Sequence, residues 1–128
     1  MRSSTIAVSP WLRFGKQLQD IRKAVDDLRT GMKVHSVTLN EVGQEAWLLA
    51  KPLVATVEER GAEDFTACFY DADVYGYGES IPEAIDDLKR HLVSQLEFLL
   101  EEAKRASLGP APRRQLAVLK RLLREVPR

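Results

Sequence analysis

Cysteine is nearly absent from the chain, and long apolar runs are absent altogether. The single cysteine, Cys68, excludes an internal disulfide framework, and with two distant histidines it gives no spacing typical of a metal site. The sequence holds no run of about 18 apolar residues, which a membrane-spanning helix needs, and its start lacks the apolar core of a signal peptide. We therefore expect a soluble, cytoplasmic protein with no membrane partner, no metal and no cofactor.

The chain has no net charge, but its charges are strongly segregated. Residues 1–40 carry seven basic and three acidic side chains, residues 41–103 carry four and fifteen, and residues 104–128 carry eight and one. An acidic middle between basic ends can bind a basic partner, can leave a basic tail to bind nucleic acid, or can attract the chain's own ends. Otherwise the composition, 45% hydrophobic and 30% charged, is typical of one globular domain with appended elements.

The first 32 residues predict an amphipathic helix. Ser9 and Pro10 are typical of a helix start, and Gly31 of a helix end. Between them, apolar residues recur every three or four positions: Trp11, Phe14, Leu18, Ile21, Val25 and Leu28. This seam favours packing within the chain or against a second copy, so we expect a homo-oligomer.

The middle of the chain predicts an α+β domain over residues 33–107. Alternating apolar residues indicate strands at 53–60, 64–71 and 73–78, joined by short turns that make them antiparallel neighbours, and residues 33–39 predict a further strand that would extend this sheet. A long helix over 81–107 follows, with Ser80 and Glu83 forming a capping box and an apolar stripe facing the sheet: Ile85, Leu88, Leu92, Leu96, Leu99 and Ala103.

Residues 108–128 predict a separate basic C-terminal helix. The segment LGPAP interrupts the long helix, and Leu116, Leu119, Leu123 and Val126 keep one register over 113–126. The other faces carry the side chains that are candidates for binding phosphates: Arg113, Arg114, Lys120, Arg121 and Arg124. Nucleic-acid binding by this helix is an alternative that we do not favour, because it has no helix-turn-helix partner and no aromatic residues for base stacking. Packing on the acidic middle explains it equally well.

The two glycines of YGYGES precede the long helix, where a phosphate-binding loop would sit. The third glycine of a dinucleotide fingerprint is missing, Glu79 would repel a phosphate, and the capping box already uses the first helix donors. We expect a structural corner, in which Gly76 relieves crowding between strand and helix and Gly78 adopts a backbone shape that other residues resist.

The remaining polar residues do not form a recognisable catalytic site in the sequence. A metal-dependent hydrolase would need carboxylates brought together, and the candidates near strand ends are Asp64, Asp71, Asp73 and Glu79. Asp71 and Asp73 flank a tight turn, where aspartate is favoured for local hydrogen bonding. Cys68, His35 and His91 have no catalytic partner near them in sequence, so we predict no enzyme activity.

Residues 52–102 resemble the HicB-like antitoxin family. The order strand, strand, strand, helix matches, as do the V-E-E of Val57–Glu59, the F-x-A of Phe65–Ala67, an aspartate at 71 and the G-E-S-x-x-E-A of Gly78–Ala84. Leu88 and Lys89 stand where the family's helix has an L-K or similar pair. Two features differ: YDADVYGYG lacks the proline and cysteine usual before the glycine turn, and the C-terminus has no evident DNA-binding domain.

This resemblance implies a partial RNase H-like fold without catalytic carboxylates. It also implies a non-enzymatic protein that neutralises a small, basic, HicA-like mRNA-cleaving toxin by covering its active surface. Tyr75 and Tyr77 share one face of the third predicted strand, so they are the candidate partner contacts. A nucleic-acid-binding regulator and a stand-alone oligomeric relative of another function are the alternatives.

Overall fold

The structure, a computed structural model, describes residues 33–127. It contains strands and helices in the order β1 Lys33–Leu39, β2 Trp47–Leu49, β3 Leu53–Gly61, β4 Asp64–Phe69, β5 Val74–Gly78, α1 Ile81–Arg105, α2 Pro110–Leu122 and β6 Leu123–Glu125. The predicted helix over residues 9–31 and the boundary at residue 32 lie outside the described residues. No helix within the described part of the chain is both long and apolar enough to cross a membrane.

The fold is α+β, with one antiparallel sheet of four strands in the order β1-β3-β4-β5. The predicted α+β class is therefore confirmed, and β1 is the strand that extends the three-stranded core. Tight turns connect β3, β4 and β5, with Val57 opposite Ala67 and Ala67 opposite Gly76. The strands differ slightly from the predicted ranges: β3 continues to Gly61 through a register shift, and β4 ends at Phe69.

Helix α1 begins at the predicted capping box. The Ser80 side chain accepts a hydrogen bond from the Glu83 backbone N–H at 3.2 Å, and Glu83 Oε1 accepts one from the Glu79 backbone N–H at 2.9 Å. The apolar stripe is buried from Ile85 to Leu99. Ala103, predicted to continue it, is exposed, and the helix ends at Arg105 instead of residue 107.

The last helix is shorter than predicted, and a strand that we did not predict follows it. Helix α2 ends at Leu122, because Leu123 has extended backbone angles and starts β6, which pairs antiparallel with β2. Hydrogen bonds at both ends of this ribbon, from Ala50 N–H to the Leu122 carbonyl at 2.8 Å and from Val126 N–H to the Ala46 carbonyl at 2.9 Å, fix the extended chain. Leu123 is thus buried as a strand residue.

One hydrophobic core joins the sheet to both helices. Its most deeply buried large side chains come from the sheet, the loop after β1 and both helices: Val42, Val57, Leu88, Leu92, Leu96 and Leu119. Burying an aliphatic side chain of this kind contributes roughly 1.5–3 kcal/mol, so α2 is held by apolar packing in the same core as α1.

Candidate functional site: a tyrosine face on the sheet

The two sides of the sheet have different surroundings. Side chains of alternate strand residues point to α1 or away from it, and Val57, Ala67 and Gly76 form a row on the α1 side. On the opposite, outer side, Thr56, Cys68 and Tyr75 form one cross-strand row. The neighbouring outer row consists of Glu58, Thr66 and Tyr77.

All three tyrosines of the chain lie on this outer side, at the β5 end of the sheet. Tyr77 is 60% exposed and Tyr70 is 37% exposed, while Tyr75 is half-buried. The rings of Tyr70 and Tyr75 meet edge to face, with centroids 6.3 Å apart. We call the surface of Tyr70, Tyr75 and Tyr77 the tyrosine face.

Hydrogen bonds to carboxylates fix two of the three phenols. Tyr70 Oη donates to Glu58 Oε2 at 2.8 Å, and Tyr75 Oη donates to Asp73 Oδ1 at 2.7 Å. The other Glu58 oxygen accepts from Arg60 at 2.6 Å, so this buried carboxylate is paired on both sides. The rings of Tyr70 and Tyr75 are therefore held in fixed positions.

The Tyr70 phenol keeps its proton at any physiological pH. Burial raises the pKa of Tyr70 well above its ordinary value, and the neighbouring Cys68 and Glu58 raise it further. Cys68 is itself buried, and its Sγ lies 3.8 Å from the Thr66 carbonyl oxygen.

Side chains of α1 close the outer edge of β5, which is an edge strand of the sheet. Asp87 Oδ2 accepts a hydrogen bond from the Tyr77 backbone N–H at 2.9 Å, and His91 Nδ1, which carries the proton here, donates to the Tyr75 carbonyl at 2.6 Å. Asp87 also pairs with Arg90 at 2.9 Å and lies 3.5 Å from His91 Nε2. We call Asp87 and His91 the edge caps.

Asp87 lies on α1 beside the apolar stripe, and its side chain is only 19% exposed. Burial by itself would raise the pKa of this carboxyl. The hydrogen bonds from Tyr77 and Arg90, together with the charges of His91 and Arg90, outweigh burial and hold the pKa of Asp87 below its ordinary value. The spacing of Asp87 and His91, four residues apart beside a glycine-containing strand, is the signal that could have revealed the caps.

The glycine corner before α1 is a place of close backbone contact, as predicted for Gly76. A Cβ at Gly76 would lie 2.2 Å from the Leu88 backbone nitrogen. The prediction for Gly78 was wrong, because its φ is not in the left-handed region; a Cβ there would instead lie 2.6 Å from the Ala84 backbone nitrogen. Both glycines let α1 lie directly on β5.

The carboxylates considered for metal chemistry do not come together. Asp64 begins β4 and Asp71 lies beyond its other end, and within residues 33–127 no three potential ligands are grouped around a metal position. Asp71 and Asp73 do lie in the predicted turn, which is closed by a 3.1 Å hydrogen bond from the Asp73 N–H to the Tyr70 carbonyl. Asp73 has a φ of +57°, a conformation that aspartate tolerates better than most residues. Glu79 is exposed at the corner before α1.

The basic side chains of the C-terminal region are exposed. Within the described residues none of them pairs with a carboxylate, and they are Arg113, Arg114, Lys120, Arg121 and Arg124. Arg124 belongs to β6 and not to the helix. Arg114 and Arg121 line a cleft of about 520 Å³ between α2 and the turn that carries Asp71 and Asp73. The apolar side of α2 thus holds it to the domain, and its basic side stays open to solvent.

Comparison of the chain with models of known protein families, with curated proteins and with solved structures gives no match.

Proposed function

We propose that the chain is a non-enzymatic, HicB-like antitoxin-type protein that binds another protein through the tyrosine face. The observation that carries this proposal is the placement of all three tyrosines on the outer side of the sheet, with Tyr70 and Tyr75 held by hydrogen bonds and Tyr77 60% exposed. Tyrosine is enriched at the energetic centres of protein interfaces, because it combines a large rigid ring with a polar hydroxyl.

The order of β3, β4, β5 and α1 and the capping box at Ser80 support the HicB-like part of the proposal, since they coincide with the motifs that carry the resemblance. The acidic residues of the middle segment support a basic partner. Fifteen acidic side chains against four basic ones over residues 41–103 would attract such a partner and speed its association. A small basic toxin of the mRNA-cleaving kind has this chemistry.

Site-specific photo-crosslinking in the native host tests the proposal and captures a partner whose identity is still unknown. A benzophenone amino acid replaces Tyr77 in one variant and Phe98 in a control, because Phe98 is 56% exposed on α1, away from the tyrosine face. We expect one discrete adduct with a small basic protein at position 77 and none at position 98. Absence of an adduct at 77, or the same adducts at both positions, would contradict the proposal.

A second candidate function, nucleic-acid binding by α2, is favoured by one observation. The basic residues of α2 project from the side opposite Leu119 and Leu122 and form no ion pair within residues 33–127. Arg114 and Arg121, seven residues apart, lie on one helix face roughly 10 Å from each other along the axis. Such a row can contact successive phosphates.

A titration with duplex DNA at low and moderate salt tests this second function. Replacing Arg114 and Arg121 together by alanine should weaken binding severalfold and reduce its salt dependence. Arg105→Ala is the matched control, because that exposed arginine already pairs with Glu102 at 2.8 Å. No binding of the wild-type chain at either salt concentration removes this candidate.

A further inference from the structure

The cleft between α2 and the turn from β4 to β5 carries opposite charges on its two walls. The α2 wall holds the guanidinium groups of Arg114 and Arg121, and the turn holds the carboxylates of Asp71 and Asp73. Apart from Gln115, the other lining residues are small or apolar. A cleft of about 520 Å³ with an apolar lining and a few converging polar groups is typical of a site for a small ligand.

One side chain fixes the two walls of the cleft to each other. Gln115 Nε2 donates a hydrogen bond to the Ala72 carbonyl oxygen in the turn at 2.6 Å, and Gln115 Oε1 accepts one from Gln95 Nε2 of α1 at 2.9 Å. Buried Leu119 and Leu122 hold α2 in the core. The distance between the walls is therefore set by the fold, and a ligand of matching length binds without rearranging them.

The opposite charges of the cleft do not neutralise each other. Within residues 33–127, Arg114, Arg121 and Asp71 form no ion pair, and all three side chains are exposed. Asp73 Oδ1 accepts the Tyr75 hydroxyl at 2.7 Å, while its Oδ2 has no hydrogen bond in the described part of the chain. The cleft thus offers cations on one wall and anions on the other to a molecule that enters it.

These charges select the ligand. A molecule with only negative charge would meet repulsion from the aspartates, and one with only positive charge would meet repulsion from the arginines. A carboxylate can accept two parallel hydrogen bonds from one guanidinium, and an ammonium group can donate to a carboxylate oxygen. We propose that the cleft binds a small zwitterion, an amino acid or a dipeptide, with its carboxylate at Arg114 and Arg121 and its ammonium group at Asp71 and Asp73.

The inference does not rest on partner binding by the tyrosine face, because the cleft contains none of the three tyrosines. It also differs from nucleic-acid binding by α2, which needs the arginines alone. A zwitterion needs the carboxylates as well. Asp71→Asn should therefore weaken binding of the zwitterion and should not weaken binding of duplex DNA.

Calorimetric titration of the full chain at low salt, with the standard free amino acids and with a set of dipeptides, tests the proposal. We expect at least one of these zwitterions to bind with a dissociation constant of about 1 mM or lower. Its N-acetylated form lacks the ammonium group and its C-terminal amide lacks the carboxylate, so each should bind about tenfold more weakly. Comparison of the amino acids with the dipeptides shows which length fits the cleft.

Two variants assign the ligand charges to the walls. Asp71→Asn should weaken binding of the zwitterion severalfold but leave binding of its N-acetylated form unchanged, since that form has no ammonium group. Replacing Arg114 and Arg121 together by glutamine should weaken binding of the zwitterion but not of its amide. Asp86→Asn and Arg105→Gln, at exposed positions on α1, are the matched controls and should bind like wild type.

Three results would each overturn the proposal. They are no binding of any tested zwitterion at low salt, an N-acetylated or amidated form that binds as tightly as its parent, and an Asp71→Asn variant with wild-type affinity. Circular dichroism checks that the variants fold, and the comparison of the modified ligands needs no variant.

Discussion

Gly76 shows at the scale of one residue how the sequence permits the fold. A Cβ at this position would lie 2.2 Å from the Leu88 nitrogen and 2.5 Å from the Ala84 carbonyl oxygen, and both are backbone atoms that cannot rotate away. We expect Gly76→Ala to destabilise the protein by about 2 kcal/mol or more, since α1 must move off β5.

Denaturant unfolding measures this effect, with Gly61→Ala as the control. The nearest atom to a Cβ at Gly61 is the Asp64 Cβ at 3.6 Å, an ordinary contact, so that substitution should change the stability by less than about 1 kcal/mol. Equal stabilities of the two variants would show that α1 does not lie as close to β5 as described.

Asp87 gives a prediction about pH. Its folded-state pKa is lowered, so its contribution to stability is fully present above the unfolded pKa and is lost as the pH falls through the folded pKa. At pH 7, Asp87→Ala should cost about 1–2 kcal/mol, because the Tyr77 N–H and Arg90 lose a charged partner.

The difference in the free energy of unfolding between wild type and Asp87→Ala should narrow as the pH falls below about 4, because the Asp87 carboxyl of the unfolded chain takes up a proton before that of the folded chain does. Urea unfolding at neutral and acidic pH measures this difference. Asp86→Ala is the control, since Asp86 is exposed and forms no hydrogen bond within residues 33–127. If the difference in unfolding free energy between wild type and Asp87→Ala stays constant with pH, the Asp87 carboxylate does not act as an edge cap.

At the scale of elements, the start of α1 depends on a single hydroxyl. The Ser80 hydroxyl accepts a hydrogen bond from the Glu83 backbone N–H. Removing this hydroxyl leaves that helix donor without a partner. Ser80→Ala should lower the free energy of unfolding by about 1 kcal/mol. Ser94→Ala, at an exposed position inside the same helix, should be neutral or slightly stabilising. Thermal unfolding of the two variants compares them directly, and equal melting temperatures would mean that the cap contributes little.

The sequence predicted those elements whose signals are local. The apolar alternation of β3 and β4 and the capping box of α1 are readable within a few residues, and the structure agrees with them to within a few positions. The ribbon of β2 and β6 was missed because each strand has only three residues and their pairing joins Leu49 to Leu123, far apart in the chain. Strand alternation placed Tyr75 and Tyr77 on one face, whereas Tyr70, which contacts Tyr75, was not predicted because its position depends on the turn after β4.

The edge caps illustrate why contacts between elements escape a reading of the sequence. Asp87 and His91 look like ordinary solvent-facing residues of an amphipathic helix, and their role follows only from the close placement of α1 on β5. Likewise, the basic residues at the C-terminus were compatible with packing on the acidic middle, and their exposure became evident only with α2 in place.

At the scale of the whole molecule, the surfaces have separate roles in our account. In the proposed function the tyrosine face on the outer side of the sheet binds a partner, while α1 packs on the other side. Each copy of the chain has one tyrosine face, so we expect one partner molecule for each copy of the chain in the complex. Light scattering of the purified complex gives this stoichiometry, and one partner molecule for two copies of the chain would contradict the arrangement.

The affinity of the Tyr77→Ala variant for the crosslinked partner tests the central claim most directly. Calorimetric titration should show binding weakened about thirtyfold relative to wild type, the loss typical of an aromatic side chain at the centre of an interface. Phe98→Ala, a comparable loss of an exposed aromatic ring on α1, should bind within about twofold of wild type, because it lies outside the contact. If Tyr77→Ala binds the partner as tightly as the wild-type chain does, the tyrosine face is not the binding surface.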